Sequence, residues 1–345
     1  MKKERFILQD REISSEVPPF IIMEAGINHE GSLKKAMQLV DAAKQNGADC
    51  IKFQCHITDE EMIPSKMKPG KISKESLWNI IKRCELSFEE ELKVQKYCAE
   101  KQIQYLCTPF SRAAADRLYD MNVSGFKIGS GECNNLPLIS HIAKMRKPII
   151  LSTGMNNLKT VGASVKTIRN FKCPLLLMHC TSMYPTPYKF VKLGAIQDLQ
   201  KRFDLEVGFS DHSLGIYSCL GAVALGAVAV EKHFTVSSNW PGPDIPVSIT
   251  PNQLHELVKG VQAIWESRGG RKEILKEEKP VAKFAYASVV TINPIKKGEK
   301  FSYKNIWVKR PGVGEILARD FYKVLNRTAK RNLPKNAFVK RHDIT

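Results

Sequence analysis

No two cysteines in this chain are spaced C-x-x-C, and no apolar run comes near the roughly 20 residues needed to cross a bilayer. The nine cysteines, Cys50, Cys55, Cys84, Cys98, Cys107, Cys133, Cys173, Cys180 and Cys219, are odd in number and lie inside strand-like or helical runs. A disulfide framework is excluded in favour of reduced thiols that pack as small hydrophobes. The longest apolar stretch is CLGAVALGAVAV, and the N-terminal MKKERFILQDREISSEV lacks the apolar core of a signal peptide. A soluble, cytoplasmic protein with no membrane contact is expected. Acidic residues are scarce as well: 35 Asp+Glu face 53 Lys+Arg, a formal charge of +18. The shortage is local, because residues 271–345 carry 19 Lys+Arg against 7 Asp+Glu, leaving 34 against 28 elsewhere. This tail also holds Phe284, Tyr286, Tyr303, Trp307, Phe321 and Tyr322. Such a mixture suits nucleic-acid binding, and it suits equally a solvated basic face or a cap over an anionic substrate.

With 345 residues, 43% of them apolar, the chain can bury one large core and one small one. Between residues 20 and 270 one unit repeats: a short apolar run, a turn, then a helical stretch with apolar residues at i, i+3 and i+4. The strand-like runs are FIIMEAG (20–26), CIKFQCH (50–56), QYLCTPF (104–110), GFKIGSGE (125–132), PIILSTG (148–154), PLLLMHCTS (174–182), EVGFSDHS (206–213) and AVAVEKHFT (227–235). Leu33, Met37, Val40 and Ala43 predict the buried stripe of one helix. Leu254, Leu257, Val258, Val261, Ile264 and Trp265 predict that of the last, which stops at a glycine pair. Eight βα units in about 250 residues predict a closed (β/α)8 TIM barrel. An open doubly wound sheet is the alternative, but no G-x-G-x-x-G follows the first strand.

In a parallel barrel the chemistry gathers at the C-terminal ends of the strands. Those ends supply Glu24 and Asn28; Lys52 and Gln54; Thr108; Lys127, Ser130 and Glu132; Ser152; Ser182 and Tyr184; Ser210 and His212; Glu231 and His233. A serine before a helix usually caps it and a lone lysine usually reaches for solvent, but eight such coincidences on one rim point to a site. His212 and His233 end neighbouring strands about 4.8 Å apart, so their imidazoles can converge on one ion with positions left open for water and substrate. Asp211 alternates away and is expected in a supporting or helix-capping role. Lys52 and Lys127 with the hydroxyls of Thr108, Ser130, Ser152 and Ser210 make a phosphate cradle; Lys127 could instead form a Schiff base.

In chain order, EAGINHEGS, IKFQ, TPFS, FKIGSGECNN, STGM, HCTSMYPTP, GFSDHS, EKHFT and GPDI closely resemble the sialic acid synthase family, and FAYASVVTINPIKKGEKFSYKNIWVKRPGVGE resembles its C-terminal antifreeze-like (SAF) domain. The resemblance implies a TIM-barrel catalytic domain over 1–271, a linker over 272–283 and a SAF cap over 284–345. It implies condensation of phosphoenolpyruvate with an N-acetylated mannose-type sugar and release of phosphate by C–O cleavage, with Mn²⁺ or a similar divalent ion on His212 and His233. Phosphoenolpyruvate would meet Lys52, Thr108, Lys127, Ser130, Ser152, Ser182 and Ser210. The sugar would meet Gln54, Glu132, Tyr184, Asp244 and Arg310, with Glu24 beside the reacting carbons.

The family further implies a domain-swapped homodimer in which Arg310 serves the partner's barrel, and no nucleic-acid partner. Ser182 departs from the asparagine usual in N-acetylneuraminate synthases. The loop SSNWPGPDIPVSIT and the run HCTSMYPTP look more like the branch that makes N,N'-diacetyllegionaminate, whose sugar substrate has a methyl where N-acetylmannosamine has a hydroxymethyl; N-acetylneuraminate and pseudaminate synthases are the alternatives. Trp240 would form an apolar wall for that methyl, or else pack its own loop.

Overall fold

The computed structural model describes residues 5–70 and 73–345. The first four residues of the expected barrel domain lie outside them. The chain divides into two compact units, Met1–Gly269 and Gly270–Thr345. In the first, an antiparallel hairpin of β1 (Phe6–Leu8) and β2 (Arg11–Ile13) precedes eight parallel strands. These are β3 (Phe20–Gly26), β4 (Cys50–Cys55), β5 (Gln104–Pro109), β6 (Phe126–Ile128), β7 (Ile149–Ser152), β8 (Leu175–Cys180), β9 (Val207–Asp211) and β10 (Ala229–His233). Their order is β5-β4-β3-β10-β9-β8-β7-β6, and the two end strands pack against each other. In an open sheet those strands would form opposite edges, so the arrangement is the nearly closed TIM-like barrel.

Alternation along each strand sorts its side chains into two populations. Ile21, Met23, Ala25, Ile51, Phe53 and Cys55 face outward into the large core shared with the helices. Phe20, Ile22, Cys50, Leu106, Ile150, Leu176, Met178 and Val228 face inward at the strand starts, where Phe6, Leu8 and Ile13 of the hairpin join them. The hairpin was not expected. Its strands are three residues long, too short for periodicity to register, yet it closes the barrel floor, where each of its three large apolar side chains contributes about 1.5–3 kcal/mol of burial. One residue further along the same inward parity, Gly208 leaves room for the chain: an added Cβ would lie 2.9 Å from the Ala229 carbonyl oxygen.

The helices follow their capping and apolar patterns. Ser32 Oγ accepts from the Lys35 amide at the start of Leu33–Gln45, and Ser87 and Glu90 make a reciprocal capping box on Phe88–Glu100. The buried face of Leu33–Gln45 is Ala36, Leu39, Val40, Ala42 and Ala43. The expected stripe was therefore slightly rotated: Val40 and Ala43 belong to it, and Leu33 and Met37 sit at its margin. Pro251–Ser267 buries Leu254, Leu257 and Val261 as expected, and Val258, Ile264 and Trp265 pack at its edges. All nine cysteines are free and buried. Among the described residues no helix is long and apolar enough to cross a membrane.

Several strands end earlier than their apolar runs. The GSGE stretch expected to finish a strand is a 3-10 turn, Ser130–Asn134, because its glycines and short polar side chains favour a turn over a ladder. The segment expected as a linker is partly helical, with a turn at Lys276–Glu278 and a helix at Lys279–Ala285, where Pro280 occupies a tolerated first-turn position. In the second unit β11 (Ser288–Thr291) pairs antiparallel with β12 (Ile306–Lys309) over a core of Val289, Ile295, Phe301, Ile306, Ile316, Phe321, Val324, Ala329, Leu333 and Val339.

Asp211 and Lys232 face outward from β9 and β10 and are almost completely buried, with Lys232 Nζ 2.7 Å from Asp211 Oδ2. Ser213 and Cys219 also donate to Asp211. Asp211 is thus a strut between strand and helix, not a helix cap. Removing one partner leaves the other charge buried: Lys232→Met is expected to lower stability by about 3–5 kcal/mol, and Asp211→Leu combined with Lys232→Met to lose clearly less. Urea unfolding of the two variants checks the order.

Candidate active site

The inward parity that carries Ile22, Cys50, Leu106 and Ile150 at the floor carries polar side chains two residues later. Glu24, Lys52, Thr108, Lys127, Ser152, Ser210 and Glu231 all point into the barrel and are buried. They line a cavity of about 360 Å³, together with Gln54, Ser130, Cys180, Ser182, Tyr184, His212, His233 and Asp244. Register explains the convergence: Glu24 lies beside Lys52 across β3 and β4, Glu231 beside Ser210 across β10 and β9, and His233 beside Glu24.

Charge pairing organises the floor of this cavity. Lys52 Nζ lies 2.6 Å from Glu24 Oε2 and 3.8 Å from Glu231 Oε1, and it donates to Thr108 Oγ1 at 3.3 Å. Lys127 Nζ lies 3.8 Å from Glu231 Oε2 and donates to Ser152 Oγ at 2.5 Å. Ser210 Oγ donates to Glu231 Oε1 at 3.0 Å. Burial disfavours a charged Lys52, but Glu231 and Glu24 outweigh it and hold its pKa above the usual lysine value. At Lys127 burial wins: the pKa is lowered despite Glu231, and Lys52 adds to the fall. Burial also opposes the Glu231 charge, and Lys127 and Lys52 overcome it, so the carboxyl is held below its ordinary value.

Above the floor, the ring centroids of His212 and His233 are 5.4 Å apart, and Tyr184 packs on His212 with centroids 4.1 Å apart and planes tilted by 33°. His212 Nδ1 is 3.0 Å from the Thr181 carbonyl oxygen and therefore donates; burial opposes a charge on this ring, but Cys180, that carbonyl and Glu231 outweigh it and raise its pKa. His233 Nδ1 is buried without a hydrogen-bond partner, its nearest charged neighbour being Asp244 Oδ2 at 3.6 Å. Burial, with the nearby His212, lowers the His233 pKa to about 3, and burial raises that of Asp244 to about 6. Among the described residues no cluster of three or more His, Cys, Asp or Glu side chains is arranged to hold a metal ion. Two imidazoles, each with one ring nitrogen not engaged by a protein partner, do fit a divalent ion that takes its other ligands from water and substrate.

Gly154 shows where the hydroxyls meet. An added Cβ there would collide with Ser182 Oγ and lie 2.8 Å from Ser130 Oγ and 3.2 Å from Cys180 Sγ. Ser130 Oγ accepts from the Gly154 amide at 3.0 Å. On the opposite side, Gln54 Nε2 donates to Glu24 Oε1 at 2.8 Å, and Gln54 Oε1 lies 2.9 Å from His56 Nε2.

Most of the residues singled out from the sequence are brought together here. Glu132 is not: it lies on the 3-10 turn outside the cavity lining, and its carboxylate accepts from Asn135 at 2.6 Å. Asn28 is buried away from the cavity, donating to the Phe234 carbonyl and Ser248. Trp240 packs its loop against the core with Lys35 over its ring, so it lines no wall. The apolar wall is instead Ile27, Leu77, Ile80, Ile81, Phe110 and Pro243. Leu77, Ile80 and Ile81 come from the helix Leu77–Cys84, which sequence reading passed over because it interrupts the strand–helix repeat. Glu231 was visible on the rim but was left out of the assigned site. Arg310 belongs to the second unit.

Residues 39–273 match the NeuB family, and residues 286–345 match the SAF domain. The chain belongs to the NeuB family. It is 37% identical to an N,N'-diacetyllegionaminic acid synthase of Campylobacter jejuni over 93% of this chain and 98% of that one. It is 35% identical to the protein of the same description from Legionella pneumophila, over 87% of each chain. Among solved structures, an N-acetylneuraminic acid (sialic acid) synthetase from Leptospira borgpetersenii in complex with citrate matches at 32% identity with a TM-score of 0.74, covering 81% of this chain and 95% of that one. This NeuB-family protein is an enzyme, a sugar-acid synthase.

In the NeuB-family barrel the two lysines are not equivalent. Lys52→Met strands Glu24 and leaves Glu231 with Lys127 and Ser210, whereas Lys127→Met strands no carboxylate, leaves Glu231 with Lys52 and Ser210, and removes an ammonium that burial already disfavours. Lys52→Met is expected to cost about 3–5 kcal/mol and Lys127→Met clearly less, measured by urea unfolding at neutral pH.

Proposed function

We propose that this enzyme condenses phosphoenolpyruvate with 2,4-diacetamido-2,4,6-trideoxymannose to give N,N'-diacetyllegionaminate and phosphate. The observation that carries the reading is the juxtaposition, in one cavity, of two buried lysines with the five hydroxyls of Thr108, Ser130, Ser152, Ser182 and Ser210, two imidazoles, and an apolar wall. Lys52 and Lys127, with Thr108, Ser130, Ser152, Ser182 and Ser210, hold the charged ends of phosphoenolpyruvate. A divalent ion, Mn²⁺ or a similar one, on His212 and His233 would polarise the aldehyde oxygen of the open-chain sugar. Carbon 3 of phosphoenolpyruvate bonds to the aldehyde carbon and water adds at carbon 2, one water proton ending on the former aldehyde oxygen as the new hydroxyl; the tetrahedral carbon expels phosphate by breaking its C–O bond, and its remaining hydroxyl proton leaves with the phosphate as the ketone forms. Glu24 is placed to take the proton that water gives up, because Lys52 and Gln54 orient its carboxylate toward the cavity. Tyr184 and Asp244 face the sugar side. The apolar wall suits a deoxy sugar's methyl better than a hydroxymethyl.

The lowered pKa of Lys127 also suits a Schiff-base aldolase. Oxygen-18 in the bridging position of phosphoenolpyruvate separates the two: the proposal sends the label into phosphate, and borohydride traps nothing. Phosphate release should be fastest with the diacetamido mannose sugar, slower with N-acetylmannosamine and with the altrose isomer, and abolished by chelation until a divalent ion is restored. Preference for N-acetylmannosamine would assign the enzyme to N-acetylneuraminate synthesis instead, and preference for the altrose isomer to pseudaminate synthesis.

The homodimer and the service of Arg310 in trans are proposals on the same resemblance. Mixing Arg310→Ala with His212→Ala protein under subunit exchange should restore activity toward half of wild type in mixed dimers. No recovery despite confirmed exchange would rule the arrangement out.

A further inference from the structure

His56 follows β4 directly and is buried. Its Nδ1 is 2.9 Å from Glu61 Oε2 and 3.1 Å from Oε1; its Nε2 is 2.9 Å from Gln54 Oε1. The orientation of Gln54 is decided at its other end, where Nε2 faces Glu24 Oε1 at 2.8 Å and must be the donor. The amide oxygen therefore faces His56. Both imidazole nitrogens point at acceptors, and a neutral ring can donate from only one.

We propose that His56 is held as an imidazolium between Glu61 and Gln54, and that this group is the positioning residue that locks the Gln54 amide and so holds the Glu24 carboxylate toward the reacting carbons. The proposal rests on the reading of Glu24 as the proton acceptor.

The surroundings support the charge. Phe110 stacks on the His56 ring with centroids 4.5 Å apart and planes 18° apart. Glu61 ends the short helix Thr58–Glu61, whose first amide donates to Glu85 Oε1 at 2.5 Å, so the counter-ion is anchored. The other titratable groups that face His56 from packed elements are Glu91, Asp244 and His29. Burial and the His56 charge lower the pKa of His29 to about 4, so this neighbour is neutral.

The alternative arrangement contains the same number of protons. A neutral His56 would accept from a flipped Gln54, whose oxygen would then face Glu24, and only a protonated Glu24 tolerates that contact. The orientation of one amide thus ties the donors of His56 to the position of Glu24.

Two measurements test this separately. In wild-type enzyme loaded with Mg²⁺ and labelled with ¹⁵N-histidine, with His56 assigned by its loss in His56→Gln, both ring nitrogens should be protonated near neutral pH. One unprotonated nitrogen overturns the proposal whatever the enzyme's substrate. In the phosphate-release assay, His56→Leu should lower kcat about 100-fold with little change in KM for phosphoenolpyruvate. His56→Gln, which retains a donor toward Gln54, should recover most of that loss. Unchanged kcat in folded His56→Leu, or equal loss in both variants, contradicts the positioning role. If no sugar supports phosphate release, the functional reading fails and the nitrogen spectra still decide the protonation.

Discussion

A carboxylate with a lysine at each oxygen sits near the middle of the barrel, and the rest of the site is built around it. Glu231 lies 3.8 Å from both Lys52 and Lys127, while Glu24 takes the other side of Lys52 at 2.6 Å. Two positive and two negative side chains cancel, which is the condition for burying four charges in so small a volume. Neutrality also sets what the cavity can receive. An anionic substrate arriving there finds lysines already paired, so part of its charge must be met by neutral donors. The hydroxyls of Thr108, Ser130, Ser152, Ser182 and Ser210 and the bare backbone at Gly154 supply them.

Strand alternation makes this possible without special local structure. The same inward parity that places Ile22, Cys50 and Ile150 over the hairpin places Glu24, Lys52 and Ser152 two residues later. An apolar layer sealed by Phe6, Leu8 and Ile13 thus lies directly beneath a polar one, and water is excluded from below. His212 and His233 come at the next level, where the strands are ending and imidazoles can tilt toward one another. The chemistry lies at this end because the loops there are free to vary while the parity beneath them is not.

The eight strands were legible in the sequence because each is a continuous buried run bounded by turn residues, and a fully buried parallel strand reads that way. The site was legible to the extent that it lies on strand parity: Glu24, Lys52, Thr108, Ser152, Ser210 and His233 could be counted off. What periodicity does not encode was read less well. Glu132 resembles a strand-end residue, but the glycines before it turn the chain and leave it outside the cavity lining. Trp240 suggested a wall, and the wall came from a helix inserted between β4 and β5. His56 drew no notice because its meaning depends on the partner at each nitrogen, and Glu61 and Gln54 reveal that only in three dimensions. Glu231 stood in view on the rim, and its central position needed the two lysine distances.

The central claim is that the paired lysines form the receptor for phosphoenolpyruvate. A crystal structure of the enzyme soaked with that compound tests it most directly. The account predicts electron density for intact phosphoenolpyruvate among Lys52, Lys127, Ser130, Ser152 and Ser210, with Glu231 still between the two lysines. Density continuous with Lys127 Nζ, or phosphoenolpyruvate bound only outside this cavity, would contradict it.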